Sequence, residues 1–378
     1  MLLHFDLPTR LSIAIALAAI LACLAPIIAQ TTEPPVETPA TLIEQCRFHD
    51  ALEAIDLQAP DASLLRGLAL IGLGRYDEAA AALESPNASG NESARLEALA
   101  KIAEARGQID QSLNLMAQAV AAETKTIASP ESLDGANTLA RLHSDYGRLA
   151  LRYGRTDLAR DQFRAAITFV STAHMKMHEL GIPHDENDPR MFAGPATAGM
   201  AQLFASEGDD RRAERTFRSI VGRANDPATL RDLAAFALAR GDDRSAQALL
   251  NRLIAQAENA PKHRRDLALA LADAGREFDT ALAIAEAAFA DGPNTESRDT
   301  LAWILYCKGE HDRAAEILDE ALKVGTQNPL ILFHAGMIAH ARGQTDDARR
   351  LLKQALAINP NFDPIASPMS RSTLGNAE

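Results

Sequence analysis

Residues 298–360 read RDTLAWILYCKGEHDRAAEILDEALKVGTQNPLILFHAGMIAHARGQTDDARRLLKQALAINP, and one scheme occurs in them twice. Leu301, Ala302 and Leu305 mark one helical face, Lys308-Gly309-Glu310 breaks it, and Ala314, Leu318 and Ala321 mark a second helix. Leu332, Ala335, Gly336 and Ala339 then precede Arg342-Gly343-Gln344, Ala348, Leu352 and Ala355 follow, and Pro360 ends the unit. Gly241, Gly275, Gly309 and Gly343 stand 34 residues apart. A fixed period of this length means one small unit that buries its apolar face only against the next copy. Glycine at the turn accepts the positive φ that ends one helix, while alanine at the crossing positions lets two backbones approach closely.

Looser copies lie upstream. Gly208 precedes Ala213 and Phe217; Gly154 follows Tyr146, Gly147 and Ala150 and precedes Ala159, Phe163 and Ala166; Gly107 and Gly74 sit 33 residues apart. A partial copy begins at Cys46, with cysteine in the glycine place, and the count is seven fairly clear hairpins plus this one. The pattern resembles the tetratricopeptide repeat, a helix-turn-helix of 34 residues. The resemblance covers residues 41–360, although the family's early tryptophan is absent and one extra residue in the Gly275 unit delays its second helix to Ala281. It implies an all-α fold, a right-handed superhelical solenoid of antiparallel helix hairpins. Two insertions break the period, near 123–137 and near 171–193.

Composition agrees with helix: 47% of residues are hydrophobic, mostly Ala and Leu, and only 4% are aromatic. A formal charge of -13 argues against non-specific nucleic-acid binding. Residues 1–29 read as an export segment, because the apolar run 11–28 ends at Ile27-Ile28-Ala29, a small-residue cleavage site. A cleaved signal peptide is the first reading; an uncleaved anchor and a lipoprotein-like box at Ile20-Leu21-Ala22-Cys23 are the alternatives. Residues 30–40, rich in Pro and Thr, form a linker, and residues 361–378 read as a flexible tail without a complete capping helix. The last repeat is then expected to be covered by that tail, by self-association or by a partner. Cys46 and Cys307, near opposite ends of the array, are not expected to form a disulfide.

No GxSxG, phosphate loop, CxxC or dinucleotide fingerprint is present, so neither enzyme chemistry nor a cofactor is expected. The resemblance implies a scaffold for protein–protein interaction, holding a peptide or partner helix in a concave groove. Trp303 and Tyr306 on one first helix, and Phe333, Met337 and His340 on the next, occupy places that line the groove in similar repeats. The alternative is that Trp303 and Phe333 pack between helices as core. Arg141, Arg148 and Arg152 share a register, continued by Arg231, Lys262 and Arg265, which reads as a basic stripe for an acidic peptide or as a solvated face paired by Asp145, Asp232 and Asp266. His174 and His178, with His184, Asp185, Glu186 and Asp188, offer a metal reading, against which an ordinary helix surface and solvated loop are the stronger one. The expected protein is an exported scaffold of the bacterial periplasm or envelope. A membrane-anchored assembly factor for secretion or outer-membrane machinery, and a periplasmic metal- or ligand-binding protein, are the rivals.

Overall fold

The computed structural model describes residues 37–85, 91–127, 129, 132–183, 193–224, 226–257 and 261–375. The chain divides into Met1–Thr38, of which only 37 and 38 are described, and Pro39–Glu378. The export segment and most of the linker thus lie outside the described residues. Among the described residues no helix is long and apolar enough to cross a membrane.

The second unit is built of helices joined in consecutive hairpins. These are α1 (Pro39–Glu44) with α2 (Phe48–Ala54), α3 (Ala62–Gly72) with α4 (Tyr76–Leu83), α5 (Glu92–Ala105) with α6 (Ile109–Thr126), and α7 (Leu133–Arg152) with α8 (Thr156–Glu179). The series continues with α9 (Gly194–Ser206) and α10 (Asp210–Ile220), α11 (Pro227–Ala239) and α12 (Asp243–Ala257), and α13 (Arg264–Asp273) and α14 (Phe278–Asp291). It ends with α15 (Thr295–Cys307) and α16 (His311–Lys323), α17 (Pro329–Ala341) and α18 (Thr345–Ile358), and a single α19 (Ala366–Gly375). No strand occurs among the described residues.

Local chemistry explains the hairpins. Gly309 has φ 83, its N–H donates to Tyr306 O at 2.9 Å, and Glu310 N–H donates to Leu305 O at 2.9 Å, the paired bonds that close a helix end on a left-handed residue. Glycines 74, 107, 154, 208, 241, 275 and 343 also have positive φ, and Cys46, at φ 60, does the same work in the first hairpin. That makes one hairpin more than the sequence count. Glu277, at φ 48, absorbs the extra residue of the Gly275 unit immediately before α14. Many first helices begin on a side-chain cap: Asn91, Ser132, Asp226, Asn294 and Asn328 each accept a backbone N–H from the first turn. Between hairpins, small residues admit large ones. The fully buried Phe163 ring lies against both Gly147 and Gly199, where a Cβ would overlap it.

The insertions go partly into longer helices. α7 has 20 residues and α8 has 24, against 13 in α15. Residues 184–192 lie outside the described residues.

The array coils until early and late repeats meet. Tyr76 Oη donates to Thr295 Oγ1 at 3.0 Å and accepts Thr295 N–H at 3.1 Å, across 219 residues. Asn294 Nδ2 donates to Gly72 O at 3.1 Å, Asn359 Nδ2 to Leu151 O at 2.8 Å, and Asn361 Nδ2 to Ser206 O at 2.8 Å. Val324 packs on the cluster of Leu70, Tyr76 and Ile102, and Ile358 on that of Leu149 and Tyr153. The turn glycines therefore fall into two groups. A Cβ at Gly107 would overlap the Gly325 carbonyl, and one at Gly74 would lie 2.9 Å from Pro293 O, whereas Gly208, Gly241, Gly275, Gly309 and Gly343 face open space.

Residues 361–378, expected as a flexible tail, instead carry α19, which packs on α17 and α18. Asp363 Oδ1 accepts the N–H groups of Ile365 and Ala366, each at 2.8 Å, and so starts the helix. Its buried face is made of Ala366, Ser367 and Ser370, and Ser370 satisfies its hydroxyl on Ala366 O at 2.9 Å. Serine in place of leucine is why hydrophobic periodicity does not reveal it.

The two glycine groups separate in a denaturation experiment. Gly309→Ala is expected to cost about 1–2 kcal/mol, for the left-handed backbone alone. Gly107→Ala adds a collision with a loop carbonyl and should lower the urea midpoint at least twice as far; equal midpoints would show that the inter-repeat contact carries no energy.

Candidate protein-binding groove

The inner face of the coil encloses a cavity of about 380 Å³. Its wall takes Arg148 and Arg152 from α7, Arg231, Asp232 and Phe236 from α11, Arg265 from α13, and Glu296 and Asp299 from α15. A second cavity of about 380 Å³ shares Arg148, Arg152 and Glu296 and adds Tyr76, Glu97, Glu104 and Asp145. The lumen is thus lined by both halves of the array.

The arginine stripe, apart from Arg141, which lines neither cavity, lies here, and it is answered charge for charge. Arg231 Nη2 donates to Asp232 Oδ1 at 2.7 Å and Nη1 to Asp266 Oδ1 at 2.8 Å. Arg148 pairs with Asp232, Arg152 with Glu104, and Arg265 with Glu296. Arg141 donates to both oxygens of Glu97, at 2.8 and 2.9 Å, and to Asp145 at 3.0 Å. Lys262 is set apart, 3.5 Å from Glu44. Burial works against the Arg231 guanidinium, but Asp232 and Asp266 outweigh it and raise its pKa. At Arg265 burial prevails over Asp266, and the pKa falls. Charges paired this closely in a partly dehydrated lumen are costly to orphan, so an entering ligand must replace a partner when it displaces one.

The aromatic residues take a different place. Trp303 is 6% exposed, Phe333 1% and Met337 7%, so all three are packed inside rather than lining the cavity. Trp303 stacks on Tyr306 and His334, with centroids 4.8 and 4.2 Å apart, and lies 5.4 Å from Phe333. Tyr306 is half-buried and His340 is exposed at the end of α17. The phenylalanine rings that line the first cavity, Phe236 and Phe362, were not singled out from sequence. Nor were Glu296, Asp299 and Asp363. Stacking the 34-residue frames brings out part of the wall: Arg231 and Arg265 align with each other, as do Asp232 and Asp266.

Two polar bridges join successive first helices. His334 Nδ1 lies 2.8 Å from Asp299 Oδ1, and Trp303 Nε1 donates to Asp273 Oδ1 at 3.1 Å. Asp273 keeps contact with water, yet its enclosed position and the neighbouring Asp363 push its carboxyl up to about 6, with His334, Trp303 and Arg231 opposing. Cys46 and Cys307 are free, and burial, then Asp273, pushes the Cys307 thiol up to about 12, which leaves it unreactive.

His174 and His178 stack with centroids 6.0 Å apart and planes at 4°. His184, Asp185, Glu186 and Asp188 lie outside the described residues. Among the described residues no group of three or more His, Cys, Asp or Glu is placed to hold a metal ion.

Two substitutions test this packing. Phe333→Ala empties a fully buried site and is expected to cost about 3–5 kcal/mol in urea denaturation. Asp273 holds its proton more tightly in the folded chain than in the unfolded one. Its contribution is fully present below the ordinary carboxylate range and is lost as pH rises through about 6. Asp273→Asn, which keeps an acceptor for Trp303, should therefore melt above the unsubstituted chain at pH 7.5 and lose that advantage by pH 4; a constant difference across this range would remove the assignment.

Residues 305–369 and residues 42–92 each match a family model described as tetratricopeptide repeat. No curated protein matches the chain. Among solved structures, a tetratricopeptide repeat protein from Parabacteroides merdae is 14% identical, with a TM-score of 0.40 over 76% of this chain and 99% of that one. Yeast Tom70 is 14% identical, with a TM-score of 0.35 over 91% of this chain and 89% of its own. Pseudomonas aeruginosa pilF is 17% identical, with a TM-score of 0.34 over 63% of this chain and 99% of its own. The matched segments, near the two ends of one array of glycine-turned hairpins, are tetratricopeptide repeats, a repeat type that implies a scaffold for protein–protein interaction.

Proposed function

We propose that this chain is an exported scaffold of the bacterial envelope that holds an extended segment of a protein partner in the lumen of its superhelix. The observation that carries the lumen reading is the wall of alternating charge contributed by Arg148, Asp232, Arg231, Asp266, Arg265 and Glu296. Such a wall offers donors and acceptors along one line, so a polar peptide can exchange each ion pair for one of its own at little net electrostatic cost. A surface meant only for a long-range acidic ligand would leave its arginines unanswered. The apolar run at 11–28 and the Pro- and Thr-rich residues at 30–40 support export and a spacer ahead of the repeats.

Site-specific photocrosslinking in the native envelope tests this. A crosslinker at Gln202, which lines the lumen, is expected to capture a partner that one at Arg218 on α10, where the side chain is 76% exposed, does not. Arg148→Ala with Arg265→Ala should reduce that capture several-fold. Capture only from Arg218, or equal capture by the doubly substituted chain, would place the partner elsewhere. Fractionation of the same cells reports on export: recovery in the cytoplasm would sink that part of the reading.

A further inference from the structure

The chain's own last segment reaches the lumen. Beyond Pro360, residues Asn361, Phe362, Asp363, Pro364 and Arg371 form part of the cavity wall. Covering the last repeat requires contact with α17 and α18 only, and α19 makes it, with Thr373 Oγ1 3.6 Å from Met337 Sδ. The segment leading to α19 goes further. Asn359 Nδ2 donates to Leu151 O at 2.8 Å and Arg152 O at 3.3 Å, and Asn361 Nδ2 donates to Ser206 O at 2.8 Å, across 208, 207 and 155 residues. These carbonyls belong to the last turns of α7 and α9; Leu151 O also accepts Gly154 N–H at 3.0 Å, and a helix end exposes such carbonyls to further donors. The Phe362 ring lies 6.2 Å from Phe333. The Asp363 carboxyl, raised by burial, sits in the field of His334 and Arg231.

Each of these contacts is one that a peptide from another protein makes equally well: a side-chain amide on a helix-end carbonyl, an aromatic ring on an aromatic ring. None depends on the repeat pattern. We propose that residues Asn361–Gly375 are a displaceable occupant of the lumen, and that the partner is an extended peptide of the same chemistry, with a side-chain amide next to an aromatic residue. The proposal rests on the lumen being the binding site. The tail is then a built-in competitor that sets the affinity a partner must exceed, since a tethered segment acts at an effective concentration on the order of millimolar.

The test exchanges the segment in trans. The probe is a fluorescein-labelled synthetic peptide of residues 358–375, read by fluorescence anisotropy against two full-length chains. One is unsubstituted; the other carries Asn361→Ala and Phe362→Ala, which weaken the tail in cis while leaving the receiving carbonyls and Phe333 in place. The substituted chain is expected to bind the peptide at least tenfold more tightly than the unsubstituted chain, and to ignore a peptide of scrambled sequence. Equal affinity for the two chains, binding to neither, or equal binding of the scrambled peptide would overturn the proposal. Should the double substitution unfold the chain, Asn361→Ala alone decides, because it removes one exposed hydrogen bond; a gain in peptide affinity supports the proposal and none overturns it. Peptide exchange fails or succeeds without regard to any external partner, so it and the crosslinking experiment fall separately.

Discussion

Backbone against backbone at the seam is the contact on which the rest of the inner architecture depends. Gly74 and Gly107 rest directly on the loop carbonyls of Pro293 and Gly325, at a separation that leaves no room for a Cβ. Hydrophobic burial alone is non-directional and would tolerate a looser coil. The hydrogen bonds of Asn294, Tyr76 and Asn359 add direction, and Val324 and Ile358 add apolar cover, so early and late repeats meet in one register. With that register set, Arg148 and Arg152 of α7 share a lumen with Glu296 of α15.

A closed lumen changes what its charges do. The chain carries a net charge of -13, but the inner wall alternates, and most of its arginines touch a carboxylate from a neighbouring helix. Exposed pairs of this kind contribute little, roughly 0–1 kcal/mol each. Those of α7, α11 and α13 are largely shielded from water, and there pairing offsets the cost of dehydration. The lumen is therefore polar without being strongly attractive to either sign, and recognition in it turns on the order of donors and acceptors along a segment.

Much of the frame was legible from residues 298–360 and the glycine period, because a 34-residue repeat has few ways to bury its apolar faces. Cys46 in a glycine place and the extra residue before Ala281 were legible too, and both appear as left-handed residues, Cys46 itself and Glu277. What the period could not convey was contact between repeats five or six units apart. Gly107 and Gly309 look alike in sequence, yet one is pressed against a carbonyl and the other faces open space. The helical register put Trp303, Phe333 and Met337 on shared faces, but not on a known side of the sheet of helices. Packing against His334 and Phe362 decided that. The arginine stripe was readable on α7, while Asp232, the carboxylate that answers Arg148, comes from a helix 84 residues away.

The asparagines show how local and long-range order are joined. Asn294 uses Oδ1 to accept Ser297 N–H at 2.9 Å, which starts α15, and Nδ2 to reach Gly72 O. Asn359 uses Oδ1 to accept Asn361 N–H at 2.9 Å, which sets the turn into the last segment, and Nδ2 to reach Leu151 O. An aspartate or serine could cap the helix equally well, but only an amide presents an acceptor and a donor from one planar group. Fraying of the first turn of α15 and parting of the seam are therefore one event, since each removes the orientation that the other half of the amide requires. In this array the start of a helix and the closure of the superhelix are held by the same side chain.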